Sequence, residues 1–138
     1  MTARSEDVPL RCLVVDDDRV VRETLVSIME AAGFAVESAA DGREALALLE
    51  VERPDLVISD IVMPEVEGIE LILSLRERHP DVVILAISGG ALKQEGDLLR
   101  YAAALGAHAV LPKPFRRREL FEVIGRILPP EKAARMRF

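Results

Sequence analysis

The sequence predicts an α/β fold: a doubly wound, five-stranded parallel sheet in a single domain, with strand order 2-1-3-4-5. Three observations carry that expectation. Strand-like and helix-like apolar patterns alternate along the chain through five strand–helix units. The first, third and fourth strand segments are apolar throughout, as strands covered on both faces are. The second alternates, and the fifth is short and closed by Pro112, which suits sheet edges because proline cannot donate to a ladder.

Leu10–Val15 is a near-continuous apolar run ending at Asp16. Val20, Val21, Thr24, Leu25, Ile28 and Met29 then recur at helical spacing, and Gly33 closes that helix. Phe34–Ala39 alternates as a half-buried strand, and Asp41-Gly42-Arg43-Glu44 reads as a capping box opening a helix to about Glu50. After the Arg53-Pro54 break, Leu56–Ser59 forms a second buried strand, ending at Asp60. A loop with Pro64 and Gly68 leads to a helix carrying Ile69, Leu71, Ile72 and Leu75. Val82–Ile87 is the next buried strand, ending at Ser88-Gly89-Gly90. A helix around Leu98–Leu105, a strand His108–Leu111 and a helix with Leu120, Ile124, Ile127 and Leu128 complete the pattern. Residues 10–128 therefore form the domain, with a disordered or frayed stretch at 1–9 and a short C-terminal tail, expected to fray, at 129–138. Right-handed crossovers connect strands in the order 2-1-3-4-5.

Half of the 138 residues are hydrophobic, enough for an ordinary core without disulfides. Cys12 is the only cysteine and is expected as a small buried strand residue, which fits a reducing, cytoplasmic setting. The segment MTARSEDVPL has no apolar signal core, and no run approaches the roughly 20 apolar residues of a membrane span. The net charge of −6 divides into +5 from Lys113 onward and −11 before it, since the last segment holds eight Lys/Arg and three Asp/Glu. No broad basic face of the kind that binds nucleic acid results. Arg116-Arg117-Arg118 reads as a solvated helix start.

The chemistry collects at strand ends. Asp16-Asp17-Asp18, Asp60, Ser88 and Lys113 all appear abruptly where a strand stops. In an open α/β sheet that carboxyl edge binds ligands, near the switch in strand order, here between the first and third strands. Converging Asp16, Asp17 and Asp60 repel one another, and a hard divalent cation with oxygen ligands, Mg²⁺, resolves the repulsion. Lys113 adds a second positive charge, Ser88 a hydroxyl donor and Gly89 an approachable amide. Such a site suits an oxyanion, a phosphoryl group best of all.

Four stretches, LVVDDDRVVRETL, PDLVISDIVMPEVEG, VVILAISGGA and GAHAVLPKPF, resemble two-component response-regulator receivers of the chemotaxis type, over about residues 10 to 128. The resemblance implies a flavodoxin-like fold and a phosphoacceptor switch rather than an enzyme. It implies that Asp60 is phosphorylated by a histidine kinase or histidine phosphotransfer protein, with Mg²⁺-dependent self-phosphorylation and autodephosphorylation. Asp17, Asp60 and the Val62 carbonyl would bind Mg²⁺ directly and Asp16 through water. Ser88, Gly89 and Lys113 would contact the phosphoryl group, and Lys113-Pro114 matches the family's cis peptide. Output is expected from the fourth helix, fifth strand and fifth helix of the pattern, toward a downstream protein, a phosphorelay or a phosphorylation-linked homodimer. Neither nucleic acid nor membrane is an expected partner. A phosphohydrolase of the haloacid dehalogenase type shares an Asp-x-Asp start, but the acidic pair expected after its lysine is missing, because Pro114-Phe115 and a helix follow Lys113.

Two departures from the family pattern stand out. Three residues before Lys113 the family carries Tyr or Phe, and this chain has Val110. An inward-turning aromatic ring therefore cannot report phosphorylation. His108, two residues earlier, is a conceivable surrogate, although an ordinary exposed histidine is the simpler expectation, as for His79. The second departure concerns lifetime: positions two past Asp60 and two past Ser88 hold Val62 and Gly90, neither with a polar group to orient water. A persistent acyl phosphate is predicted. Val62→Asn should speed decay of the phosphorylated protein in a timed mass measurement, and an unchanged decay rate would count against this reading.

Overall fold

The computed structural model describes residues 8–61, 67–88 and 106–137, with the side chains of residues 67–69 excepted. Its five strands are β1 (Leu10–Val15), β2 (Phe34–Ala39), β3 (Leu56–Asp60), β4 (Val83–Ser88) and β5 (Ala109–Pro112). The helices described are α1 (Arg19–Ala31), α2 (Gly42–Val51), α3 (Glu67–Arg78), α4 (Arg117–Ile127) and α5 (Pro130–Ala133). The sheet is parallel throughout, in the order β2-β1-β3-β4-β5 that the apolar patterns predict. The helix expected around Leu98–Leu105 lies outside the described residues, as do residues 1–7 of the expected N-terminal stretch and the Pro64 loop.

Alternation along the central strands divides the core between two faces. Cys12 and Val14 of β1, Ile58 of β3 and Leu85 and Ile87 of β4 pack with Leu25 and Met29 of α1 and with Leu120 and Ile124 of α4. Leu13, Val15, Val57, Ile84 and Ala86 point the other way, onto Leu49 of α2 and Leu71, Ile72 and Leu75 of α3. Each residue step reverses the face, so one strand feeds both layers. No described helix is long and apolar enough to cross a membrane.

Local chemistry sets the element boundaries. Gly33 takes φ +98°, a left-handed conformation that glycine adopts without a Cβ clash, and so turns the chain from α1 into β2. Asp41 caps α2 by accepting the Glu44 amide at 2.9 Å, while the Glu44 carboxylate reaches back to the Ala40 amide at 2.8 Å. The reciprocal bond of the expected capping box is therefore made one residue upstream. Three strands differ from the expected ranges at their carboxyl ends: β3 extends to Asp60, β4 to Ser88 and β5 to Pro112. Asp60 and Ser88 are thus ladder residues, in register with Ile87 and Pro112 respectively, rather than the first residues of loops. Val20, expected on the apolar stripe of α1, is 72% exposed.

The expectation that the C-terminal tail frays is overturned. α5 starts at a Pro129-Pro130 pair, with proline at the first helical position where no amide donor is needed. Met136 is buried in the α1–α4 face of the core. The Arg137 amide donates to the Ala32 carbonyl at 2.8 Å, and the Arg135 guanidinium reaches the Val8 carbonyl. Lys132 Nζ lies 2.6 Å from Asp55 Oδ1, whose partner oxygen accepts the Arg11 amide at 2.8 Å. The segment looked polar enough to be solvated, but one methionine and a set of pairable charges give it a docking face.

Candidate functional site

Asp16 leaves β1 fully buried, with all its polar groups engaged. Its amide donates to the Ala39 carbonyl at the end of β2, at 3.2 Å. Its Oδ1 accepts the Asp18 amide at 2.9 Å, its carbonyl accepts Arg22 Nη1 at 2.7 Å, and its Oδ2 lies 3.2 Å from Lys113 Nζ. The three consecutive aspartates then divide by role. Asp18 is the N-cap of α1, accepting the amides of Val20 and Val21 at 2.9 and 3.3 Å. Asp17 is exposed, and it joins Asp16 and Asp60 in a group whose carboxylate oxygens lie within 4.8 Å of one another. The Asp16-x-Asp18 pair needed by a haloacid dehalogenase is therefore not assembled.

Asp60 ends β3, and its Oδ2 lies 3.1 Å from Lys113 Nζ. Lys113 follows β5, where its amide donates to the Ser88 carbonyl at 2.7 Å, so its backbone is tied to the end of β4. The Lys113–Pro114 peptide is cis, as expected. Ser88 is buried, and its Oγ has no hydrogen-bond partner among the described residues. A buried, unpartnered hydroxyl is costly, of order 1–3 kcal/mol, and marks a place where a ligand oxygen could complete the network. Gly89, Gly90 and Val62 lie outside the described residues.

The electrostatics follow from burial. Desolvation raises the Asp16 pKa above the usual carboxylate range; the Asp18 amide and Lys113 oppose that shift without cancelling it, and Asp60 adds to it. Burial pulls the Lys113 ammonium down, but its hydrogen bond to Asp60 and the charges of Asp60 and Asp16 outweigh that effect and raise its pKa. Among the described residues, the three clustered carboxylates outnumber the one ammonium that contacts them, a charge balance that favours a cation. The donor set is all oxygen, as hard cations such as Mg²⁺ prefer.

Sequence reasoning located Asp16, Asp17, Asp60, Ser88 and Lys113, and the fold brings all five to the carboxyl edge. It missed Arg22, whose bond to a backbone carbonyl has no signature in spacing. It also left Cys12 correctly inert: the thiol is buried, and burial, with the nearby Asp55 charge, pushes its pKa up.

The sequence profile described as "Response regulator receiver domain" matches residues 12–125. The chain belongs to the response-regulator receiver family. It is 44% identical over 114 residues to the response regulator MprA of Mycolicibacterium vanbaalenii, an alignment covering 82% of this chain and 48% of that protein. MprA of Mycobacterium tuberculosis is 40% identical over 129 residues, covering 91% of this chain and 54% of the relative. The chain thus spans about half the length of these curated relatives. Among solved structures, the Vibrio cholerae chemotaxis response regulator CheY4 aligns with a TM-score of 0.77 at 33% identity, covering 86% of this chain and 98% of that one. A CheY-like receiver protein of Methanospirillum hungatei aligns with a TM-score of 0.75 at 32% identity, covering 85% and 91% of the two chains.

Against the receiver pattern, Val110 is partly buried and packs on the α2–α3 face of the core. His108 is exposed, as expected, but its ring is hydrogen-bonded to the backbone of β4. Its amide donates to the Ile84 carbonyl at 2.8 Å, and its Nδ1 accepts the Ile84 amide at 3.0 Å. The ring therefore extends the β4–β5 ladder just before β5 begins. Accepting that amide requires an unprotonated Nδ1, and desolvation together with the Arg76 charge lowers the His108 pKa below its ordinary 6.5. Because the folded state disfavours the proton, this contribution to stability is complete above pH 6.5 and is lost as pH falls toward the lowered folded-state value. Urea midpoints measured from about pH 8 to about pH 5 should fall less steeply in His108→Asn, whose amide oxygen can accept without titrating. Identical slopes for the two proteins would rule out this contribution.

Proposed function

We propose that this receiver works as a phosphorylation switch in which Asp60 is the phosphoacceptor. The observation carrying the proposal is the Lys113 ammonium placed within 3.2 Å of both buried carboxylates, Asp16 and Asp60, beside a Ser88 hydroxyl with no partner among the described residues. Asp16, Asp17 and Asp60 would hold Mg²⁺, directly through Asp17 and Asp60 and through water for Asp16, with the Val62 carbonyl completing the protein ligands. When bound, Mg²⁺ supplies positive charge to the phosphoryl oxygens and offsets the repulsion among the carboxylates.

The chain's own residues do the rest. An Asp60 carboxylate oxygen attacks the phosphorus of a phosphohistidine on a histidine kinase or phosphotransfer protein. The P–N bond breaks, its electron pair stays on the imidazole nitrogen, and Asp60 becomes a mixed carboxylic–phosphoric anhydride. Lys113 neutralises one of the oxygens now carried by phosphorus, and Ser88 donates its hydroxyl proton in a hydrogen bond to another. The Gly89 amide is placed by sequence to add a further donor. Drawing Ser88 toward the phosphoryl group pulls on the end of β4, and the Lys113 amide on the Ser88 carbonyl couples that movement to β5. The signal passes to a downstream protein through the surface of β5, α4 and the segment between β4 and β5.

Incubation with Mg²⁺ and phosphoramidate, followed by intact mass measurement, should give a single phosphoryl adduct that is lost in Asp60→Ala. An adduct that persists unchanged in that variant would sink the assignment.

A further inference from the structure

We propose that Arg22 is a positioning residue for the metal-binding carboxylates, acting through the peptide that joins Asp16 to Asp17; this rests on the phosphoacceptor reading above. Arg22 is the fourth residue of α1 and is partly buried. Its Nη1 donates to the Asp16 carbonyl at 2.7 Å, the shortest of the bonds that fix Asp16. No carboxylate pairs with Arg22 among the described residues, although Asp16, Asp17, Asp18 and Glu23 are near in sequence and Arg19 takes Glu23 at 2.9 Å. The guanidinium is committed to a main-chain oxygen.

The consequence falls on Asp17. Asp16 is fixed by Ala39, Asp18 and Lys113 as well as by Arg22, so its side chain is over-determined. Asp17 is exposed, with no burial to hold it, and its oxygens reach within 4.8 Å of the other two carboxylates only if the preceding peptide keeps its orientation. The Asp16 carbonyl is the handle on that peptide. A charge-assisted bond to it holds the plane of the peptide, and with it the direction in which Asp17 leaves the chain.

The sign of the effect separates positioning from electrostatics. A guanidinium near a cation site repels the cation, so charge alone predicts that removing it tightens Mg²⁺ binding. Positioning predicts the opposite. Titration calorimetry of the whole chain with MgCl₂, without any phosphoryl donor, should show the Mg²⁺ dissociation constant rising about tenfold in Arg22→Gln, near the lower end for loss of a partner that orients a ligand. Arg22→Lys keeps the charge and one donor, and should weaken binding less. Far-ultraviolet circular dichroism establishes that each variant is folded at the titration temperature. Arg22→Gln binding Mg²⁺ as tightly as the wild type, or more tightly, overturns the proposal. Loss of binding in Asp17→Asn with no change in Arg22→Gln leaves the metal site standing and removes only the role of Arg22. A wild-type chain that binds no Mg²⁺ removes both readings.

Discussion

The Lys113 ammonium between Asp16 and Asp60 organises the carboxyl edge of the sheet. Two carboxylates are buried at the carboxyl ends of neighbouring strands, and a third stands in the loop beside them. Burying one unpaired carboxylate costs several kcal/mol, and burying two side by side costs more. Lys113 reaches both from the opposite half of the sheet, across β4, in the β2-β1-β3-β4-β5 order. Among the described residues, Lys113 is the ammonium that contacts this cluster of three carboxylates. A site built for stability alone would have used apolar residues of similar volume, which replace buried ion pairs at little cost or some gain. The clustered carboxylates, and a Ser88 hydroxyl with no partner among the described residues, are what the proposed function rests on.

Stability comes from elsewhere. The two apolar faces of the sheet supply the packing, and a second charge cluster sits at the amino edge. There Asp55 takes the Arg11 amide and the Lys132 ammonium, and the C-terminal helix is clasped against the sheet with Met136 under it. The two edges have opposite characters. At the amino edge both oxygens of Asp55 have donors from the chain itself; at the carboxyl edge the Ser88 hydroxyl has no hydrogen-bond partner among the described residues.

Much of this was legible in the residues. The strand order followed from which strands are apolar throughout, because burial on both faces admits no alternation, and Asp16, Asp60, Ser88 and Lys113 were visible as polar residues at the ends of apolar runs. Strand ends were read short at Asp60 and Ser88 because a polar residue looks like the start of a loop, whereas the ladder continues one residue further to deliver it. The C-terminal clasp was hidden because charge reads as solvation until a partner is known. Arg22 and His108 were illegible for a shared reason: each acts on a backbone group, Arg22 on the Asp16 carbonyl and His108 on the Ile84 amide. Backbone partners leave no residue-type signature. Val110 packs against the α2–α3 face of the core, and His108 adds its ring to the β4–β5 ladder.

The proposed phosphoacceptor role requires that the cluster present Asp60, and no other carboxylate, to an incoming phosphorus. Borohydride reduction of the phosphorylated chain, followed by peptide sequencing in the mass spectrometer, tests this directly, since hydride converts an aspartyl phosphate to homoserine. Homoserine at position 60 alone is the predicted result. Homoserine at Asp16 or Asp17, with Asp60 intact, would contradict it.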